Sequence, residues 1–308
     1  MKQQLRSIGM VIAFVVGGVF HAEFAPLIDW LPLGIAFMLS ITFIGIDTKR
    51  LRPTWMHLWL LLAIEAIGLG SWGAARALGH PVLAESLYYC GAAPIAAASP
   101  IIVGLLRGDL EFSTTAMLLS QAVFAVVTPF VLPFVVHAPD MGYVEFMGIV
   151  AGQLASVLAA PAIIAVLLRL AYPPCRAWAP KLADVSLAAW CLNLTIISAA
   201  GVHRILGAGF EWADMLPMAL GALLICAIGF IGGYWLGYPR LKRECSQGLG
   251  QKNTVLTLYL AGQSYATPLA YIGPVFYVFF HNIANAIQLA LAAREQARAE
   301  GGQAAQGR

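Results

Sequence analysis

Long apolar stretches, separated by short polar or helix-breaking segments, run along the whole chain. Most are close to the roughly 20 residues that an α-helix needs to cross a bilayer. They are continuously apolar, whereas the strands of a membrane β-barrel alternate apolar and polar residues. The pattern therefore predicts an all-α membrane protein with ten spans, at residues 7–21, 31–46, 54–78, 86–106, 112–136, 143–169, 183–202, 213–237, 246–263 and 268–292.

Spans four and nine, numbered in chain order, are the irregular ones. Span four contains the segments 91–94 and 99–100, both ending in proline, and span nine contains the polar segment 248–254. Breaks at matching positions of two five-span halves are typical of inverted-repeat transporters with a site near the membrane midplane. We therefore predict a first repeat at 1–137, an inverted second repeat at 138–293 and a cytoplasmic tail at 294–308. Ordinary kinks at packing contacts are the alternative.

Composition narrows the classes of protein further. Of the 308 residues, 60% are hydrophobic and 11% are charged, against roughly 25% charged in an average soluble domain. This balance excludes a soluble enzyme, a disordered chain and a nucleic-acid-binding protein, and makes the lipid bilayer the expected surrounding. Nucleotide-binding, zinc-protease and serine-hydrolase motifs are missing from the sequence, so we predict neither an enzyme nor an ATP-driven carrier. The five cysteines lack metal-type spacing and are predicted to be free thiols.

The basic residues predict the orientation. With a cytoplasmic N-terminus, fifteen of the eighteen Lys and Arg residues fall inside, Arg76 and Arg204 fall outside, and Lys252 lies within span nine. Cytoplasmic loops carry an excess of basic residues, so an even number of spans with both termini in the cytoplasm is expected. A cleaved signal peptide around residues 1–25 is the alternative for span one, and it would leave the remaining topology unchanged.

Two ionisable residues lie within predicted spans. Glu65 is in the middle of span three and Lys252 is in span nine. Intramembrane charges are costly and mark functional sites or pairs. A structural pair is one interpretation, although desolvation makes such a pair only modestly stabilising. The sharper hypothesis assigns Glu65 and Lys252 to ion coupling, or Lys252 to substrate binding, because a lysine at a helix break can hold an anion or exchange a proton.

Further polar residues accompany these breaks. Asn253 and Thr254 follow Lys252 at what would be the start of a half-helix, where exposed N–H groups favour anions. His281 and Asn282 begin a polar stripe on span ten. Packing residues bonded to their own backbone are the alternative interpretation for all of these. With Ser99 and Lys252, these four residues form the predicted substrate-binding set.

Several segments, taken together, resemble the bile acid:sodium symporter superfamily. The resemblance lies in their order and spacing and covers most of the chain. It implies a core of spans three to five and eight to ten, a panel of spans one, two, six and seven, and a crossing of spans four and nine at their breaks. The segments are 43–47, 93–99, 105–113, 250–254 and 280–282.

The sequence departs from the family where the resemblance implies sodium ligands. The family's Ser-Asn pair is Ser99-Pro100 here, and Gly248 stands where the family has a glutamate. Lys252 stands where the family has a glutamine. Ser113 keeps its hydroxyl, so Ser99, Ser113, Gly248 and Gln251 make up a degenerate sodium site. We therefore expect Lys252 to replace a sodium ion, with Glu65 as its partner, and we predict no cofactor or metal.

The resemblance implies a secondary transporter of a small organic anion. We expect a monomeric transport unit in the inner membrane of a bacterium. This unit would work by alternating access without the family's two sodium ions, and proton coupling through Lys252 and Glu65 is one form of this hypothesis. Alternatives are a sodium-coupled symporter of bile-acid-like or other organic acids, an arsenite-type or auxin-type carrier, and a membrane sensor or scaffold that keeps the fold without transporting. Bile acids, keto acids, pantoate-like acids and sulfonates all stay open as substrates.

Overall fold

A computed structural model of the chain describes residues 2–136, 141–209, 211–263 and 267–306. Over these ranges the chain is helical and contains no strand beyond one isolated bridge. The main helices are α1 (Lys2–Val19), α2 (Leu31–Gly45), α3 (Trp55–Ala77), α4a (Pro81–Gly91), α4b (Ser99–Leu105), α5 (Leu110–Val135), α6 (Tyr143–Ala171), α7 (Ala183–Ala208), α8 (Trp212–Leu236), α9a (Lys242–Gly250), α9b (Thr254–Gln263) and α10 (Ile272–Gln306).

Seven helical segments in the described residues are long and apolar enough to cross a membrane. Large apolar side chains on these segments face outward, as Trp55, Val144 and Trp212 do with more than two thirds of their surface exposed. Such surfaces suit lipid and not water. The prediction of an all-α membrane protein is confirmed at this level. The segments are His21–Gly45, Trp55–Ala77, Leu110–Val135, Tyr143–Ala171, Asp184–Gly207, Trp212–Leu236 and Pro268–Arg294.

The three predicted spans outside this set correspond to α1 and to the two interrupted helices, α4a with α4b and α9a with α9b. Two boundaries differ from the sequence prediction. Residues 21–30, predicted as a connection, are helical, because His21–Phe24 and Ala25–Trp30 continue into α2. The helix α10 runs on to Gln306 through most of the predicted tail. The predicted boundary between residues 137 and 138, and residues 307–308 of the tail, lie outside the described residues.

Helix starts follow local capping chemistry. Asp109 precedes α5, and its side chain accepts the N–H of Phe112 at 2.9 Å. Thr54 and His57 form a reciprocal capping box at the start of α3. Pro81 begins α4a, where a missing N–H costs nothing.

The helices pack in two sets of neighbours. In one set α1 lies along α7, and α2 contacts α6 and α7. Thr195 and Ser198 on α7 donate hydrogen bonds to the carbonyls of Ala13 and Phe14 on α1, at 3.1 and 2.8 Å. In the other set α3 packs on α4a and α5, and α8 packs on α9a and α10. The interrupted helices belong to this second set.

Candidate functional site: the crossover of two broken helices

The two interruptions meet each other in the middle of the second set of helices. The first break comprises residues 92–98 and the second break comprises residues 251–253. Ile95 and Lys252 form an antiparallel bridge. The N–H of Ala96 donates to the carbonyl of Gln251 at 3.0 Å, and the N–H of Asn253 donates to the carbonyl of Pro94 at 2.7 Å. The breaks therefore satisfy part of each other's backbone, as buried non-helical backbone must.

Helix α5 supports the first break with two polar side chains. The hydroxyl of Ser120 accepts the N–H of Ile95 at 3.0 Å, and the amide of Gln121 donates to the carbonyl of Ile95 at 3.1 Å. The side chains of the break itself are apolar, so these bonds must come from a neighbouring helix. Ser120 and Gln121 thus have a defined role in binding the backbone of the first break.

Helix α10 supports the second break at its edge. The hydroxyl of Tyr277 donates to the carbonyl of Gly250 at 2.8 Å, and Tyr277 is fully buried. Gly250 lies against the ring of Phe230 on α8, where a Cβ atom would overlap the ring. The chain therefore approaches α8 closely at the point where α9a ends.

Lys252 is 1% exposed at the centre of the crossover. Within the described part of the chain, its ammonium nitrogen has no hydrogen-bond partner, and neither has the side-chain oxygen of its buried neighbour Gln251. Buried polar groups are nearly always paired, and each exception calls for an explanation. The amine of Lys252 and the amide oxygen of Gln251 are thus buried at the second break without hydrogen-bond partners among the described residues.

Glu65 lies half-buried on α3. Its carboxyl and the ammonium of Lys252 influence each other electrostatically. Among the residues that the structure describes, however, the two make no ion pair of 4.0 Å or less. The predicted coupling role of Glu65 stays a prediction.

Three more predicted residues lie where the half-helices restart. Ser99 begins α4b and is fully buried, and its hydroxyl has no partner within the described ranges. Asn253 precedes α9b and its side-chain oxygen accepts the N–H of Leu256 at 3.4 Å. Thr254 is the first residue of α9b and is buried. The crossover therefore brings the residues of the second break beside the first break. Ser99 lies at the C-terminal end of the first break.

The two predicted residues on α10 differ from each other. His281 is buried, its ring stands edge-on to Tyr277 with centroids 5.7 Å apart, and its Nδ1 has no partner in the described structure. Asn282 instead donates to the carbonyl of Val278 at 2.6 Å, within its own helix. Further along α10, Asn285 and Gln288 accept from the amide of Gln247 on α9a. That stripe ties α10 to α9a.

The donor set is poorly suited to the sodium ions that the family resemblance implies. Gly248 lacks a side chain, and a Cβ there would lie 2.9 Å from a methyl carbon of Leu60 and 3.5 Å from one of Ile95. Apolar atoms therefore surround Gly248. Ser113 is buried in the first turn of α5. The side chain of Lys252 has no oxygen atom, whereas hard cations need several oxygen ligands.

A cavity of about 430 Å³ lies between α2, α5 and α6, within the roughly 300–1,000 Å³ of small-molecule sites. Of the described residues that line it, only Gln121 and Arg169 are polar. Gln121 also binds the first break, and Arg169 donates to the carbonyl of Phe43 at 3.5 Å. The cavity therefore reaches from the first break to the ends of α2 and α6.

Two buried acids near the crossover were missed from the sequence. Glu85 on α4a and Glu244 on α9a are 5% and 4% exposed. Glu85 binds Thr267, and Glu244 binds the N–H of Asp109. Their positions in the sequence could have identified them, because each acid lies six residues before the glycine that precedes a break.

No protein-family model and no curated protein matches the chain. The resemblance to the bile acid:sodium symporter superfamily therefore stays a prediction from the motifs.

Proposed function

We propose that the protein is a secondary transporter that moves a small organic anion by alternating access around the crossover. The observation that carries this proposal is the buried side chain of Lys252 at the meeting point of two broken helices, where its nitrogen has no hydrogen-bond partner in the described part of the chain. Broken helices that meet in this way are the usual substrate or ion site of inverted-repeat carriers. A positive charge beside the start of α9b favours an anion.

The neighbour relations support ten spans in a five-plus-five inverted repeat. In both proposed halves, the third helix packs closely on the first half of a broken helix. Gly68 on α3 touches Gly91 of α4a and Ala92 of the first break, while Gly229 and Gly233 on α8 touch α9a. The set with the broken helices would be the core, and α1, α2, α6 and α7 would be the panel.

The cavity supports an organic substrate. Its lining is apolar except for Gln121 and Arg169, so it suits an apolar body with an anionic group. By the positive-inside rule, its Arg169 end is cytoplasmic. On the predicted outer side of the membrane, α7 contacts the core. Arg204 donates there to the carbonyl of Gly262 at 3.2 Å and lies over the ring of Tyr271. This arrangement fits a state closed outside and open inside, in a bacterial inner membrane.

For coupling, we propose that the ammonium of Lys252 takes the place of a sodium ion and that Glu65 responds to its charge. The poor oxygen donor set around Gly248 supports this view. Substrate movement would then be independent of sodium and would be driven by the substrate gradient or by protons.

Reconstituted protein in liposomes tests the proposal. Uptake of bile acids, keto acids, pantoate-like acids and sulfonates is measured with sodium and proton gradients imposed separately. We expect uptake of at least one anion without sodium, and a reduction of at least about tenfold in Lys252→Gln, since one interaction with a charged group is lost. Lys49→Gln, at an exposed position, is the control and should match the wild type.

Three results would contradict parts of this proposal. Sodium-dependent uptake, or thermal stabilisation by sodium, would exclude the replacement of sodium by Lys252. Unchanged uptake and pH dependence in Lys252→Gln would exclude its coupling role. Folded protein that moves none of the solutes would favour the sensor or scaffold.

A further inference from the structure

Two buried carboxyl groups lie outside the crossover, one on each broken helix. Glu85 is on α4a and Glu244 is on α9a, and both are almost fully buried. Burying an acid within a membrane protein is costly unless it is hydrogen-bonded. Both acids are bonded, and in both cases the partner belongs to the segment that follows the other broken helix.

Glu244 binds the start of α5. Its Oε1 accepts the N–H of Asp109, the residue that caps α5. In an ordinary capping box, a Glu or Gln at the third helical position accepts the N–H of the capping residue. In α5 that position is Phe112, which has no acceptor and whose N–H is bound by Asp109. Glu244 therefore completes the capping box from a different helix.

Glu85 binds the start of the α10 segment. Its Oε1 accepts the N–H of Thr267 at 3.3 Å, and its Oε2 accepts the Thr267 hydroxyl at 3.0 Å. Thr267 occupies the N-cap position of the short helix Pro268–Tyr271 that leads into α10, and its hydroxyl is turned to Glu85. The third position of that helix is Ala270, which has no side-chain acceptor. Glu85 thus supplies the missing acceptor, as Glu244 does for α5.

The two arrangements match in chain position. Glu85 lies six residues before Gly91, the last residue of α4a, and Glu244 lies six residues before Gly250, the last residue of α9a. The bound residues also correspond in order along the chain, since Asp109 follows α4b and Thr267 follows α9b. The matching positions of the two acids indicate one structural device present twice.

We propose that Glu85 and Glu244 are paired positioning residues that anchor each broken helix to the helix following the other one. The crossover is then held at its centre by the Ile95–Lys252 bridge and at both ends by these acids. Arg243 adds to one end by donating to the carbonyl of Leu106 at 2.6 Å. The two broken helices, α5 and α10 consequently move as one body. The role in transport rests on the proposed function, whereas the anchoring does not.

Hydrogen–deuterium exchange on the purified full-length protein tests the anchoring. Glu244→Leu removes the acceptor, so the amides of residues 109–113 should exchange at least about tenfold faster. Glu85→Leu should have the same effect on residues 267–272. Glu244→Gln and Glu85→Gln keep an acceptor oxygen of similar reach and should restore protection to within about twofold. Glu145→Leu, an exposed acid at the start of α6, should leave both segments unchanged.

Uptake by the same variants tests the positioning role. Both Leu variants should lower the maximal rate at least about tenfold and leave the apparent substrate affinity unchanged, because neither acid lines the crossover. The Gln variants should retain the rate. If a Leu variant does not fold, the Asp variant replaces it, since it keeps the carboxyl but is one methylene too short.

Opposite results overturn the inference. Unchanged exchange in the Leu variants would exclude the anchors, even if wild-type uptake is normal. Faster exchange with normal uptake would exclude a role in transport. A wild type that moves no solute but shows the expected exchange would contradict the proposed function and leave the anchors intact.

Discussion

The two breaks meet as partners but are built in different ways. The first break is apolar along its length, and α5 supplies the polar groups that bind it, through Ser120 and Gln121. The second break carries its own polar side chains, and α10 supports it at its edge through the hydroxyl of Tyr277, which donates to the carbonyl of Gly250. The amide oxygen of Gln251 and the ammonium of Lys252 are left without partners in the described structure.

This difference indicates which break supports the site and which break could bind a ligand. A break with apolar side chains, whose backbone is bound by a neighbouring helix and by the other break, is held in place but has little to offer a ligand. A break whose side chains are buried and unsatisfied is costly by itself and has free groups for a ligand. We therefore interpret the first break as the support and the second as the binding element.

The largest expected effect concerns what the two broken helices share, which is a close glycine contact from the preceding helix. A Cβ on Gly68 would lie 2.7 Å from the backbone nitrogen of Ala92, and one on Gly233 would overlap the carbonyl of Cys245. Because backbone cannot move aside cheaply, Gly68→Ala and Gly233→Ala should each lower the free energy of unfolding by about 3 kcal/mol. Reversible unfolding in mixed detergent measures this.

The same helices provide matched controls for the glycine variants. Gly73 on α3 and Gly232 on α8 have nothing within 4 Å of a new Cβ. Gly73→Ala and Gly232→Ala should therefore be neutral or stabilising by up to about 1 kcal/mol, from helix propensity. A large loss at Gly68 with none at Gly233 would show that the two halves are not supported alike.

The next effect tests the support of the first break. Ser120→Ala leaves the N–H of Ile95 without its acceptor, and should lower the free energy of unfolding by about 2 kcal/mol. Ser156→Ala is the control, because Ser156 and Ser120 both donate to a carbonyl three residues earlier, but Ser156 is exposed and accepts no bond from a break. Equal effects of the two substitutions would refute the supporting role of Ser120.

The smallest effect tests the support of the second break. Tyr277→Phe removes the bond to the carbonyl of Gly250 and should cost about 1 kcal/mol. The loss is smaller than at Ser120, because an unpaired carbonyl is better tolerated than an unpaired N–H. Tyr143→Phe, which removes a bond of the same 2.8 Å length at an exposed site, should change stability less. A Tyr277 effect above that of Ser120 would reverse the comparison.

Much of the fold could be predicted because its signals are local. Apolar runs specify helices and a lipid environment, and proline, glycine and polar residues within a run specify a break. The interruptions near residues 91–100 and 248–254 are found in the structure with the predicted crossing. Boundaries were less predictable. Residues 21–30 form helix because Pro26 and Pro32 each lie in the first turn of a helical piece, where proline is tolerated.

The site was only partly predictable. Its lysine was visible, because a charge inside an apolar span is conspicuous in a sequence. The contacts of the other predicted residues could not be read from the sequence. Glu65 makes no direct ion pair with Lys252 in the described structure, and Asn282 bonds its own helix. Glu85 and Glu244 went unnoticed because they lie near helix ends, where acids are ordinary.

The sequence by itself determined a helical membrane protein with two broken helices and one lysine within a break, because hydrophobicity and backbone restrictions act over a few residues. Only the tertiary structure decided which atoms meet. Lys252 lies opposite Ile95, Glu244 binds Asp109 and Glu85 binds Thr267, and these partners are more than a hundred residues apart in the chain. Such contacts depend on how whole helices cross and approach each other, and no local pattern encodes that geometry.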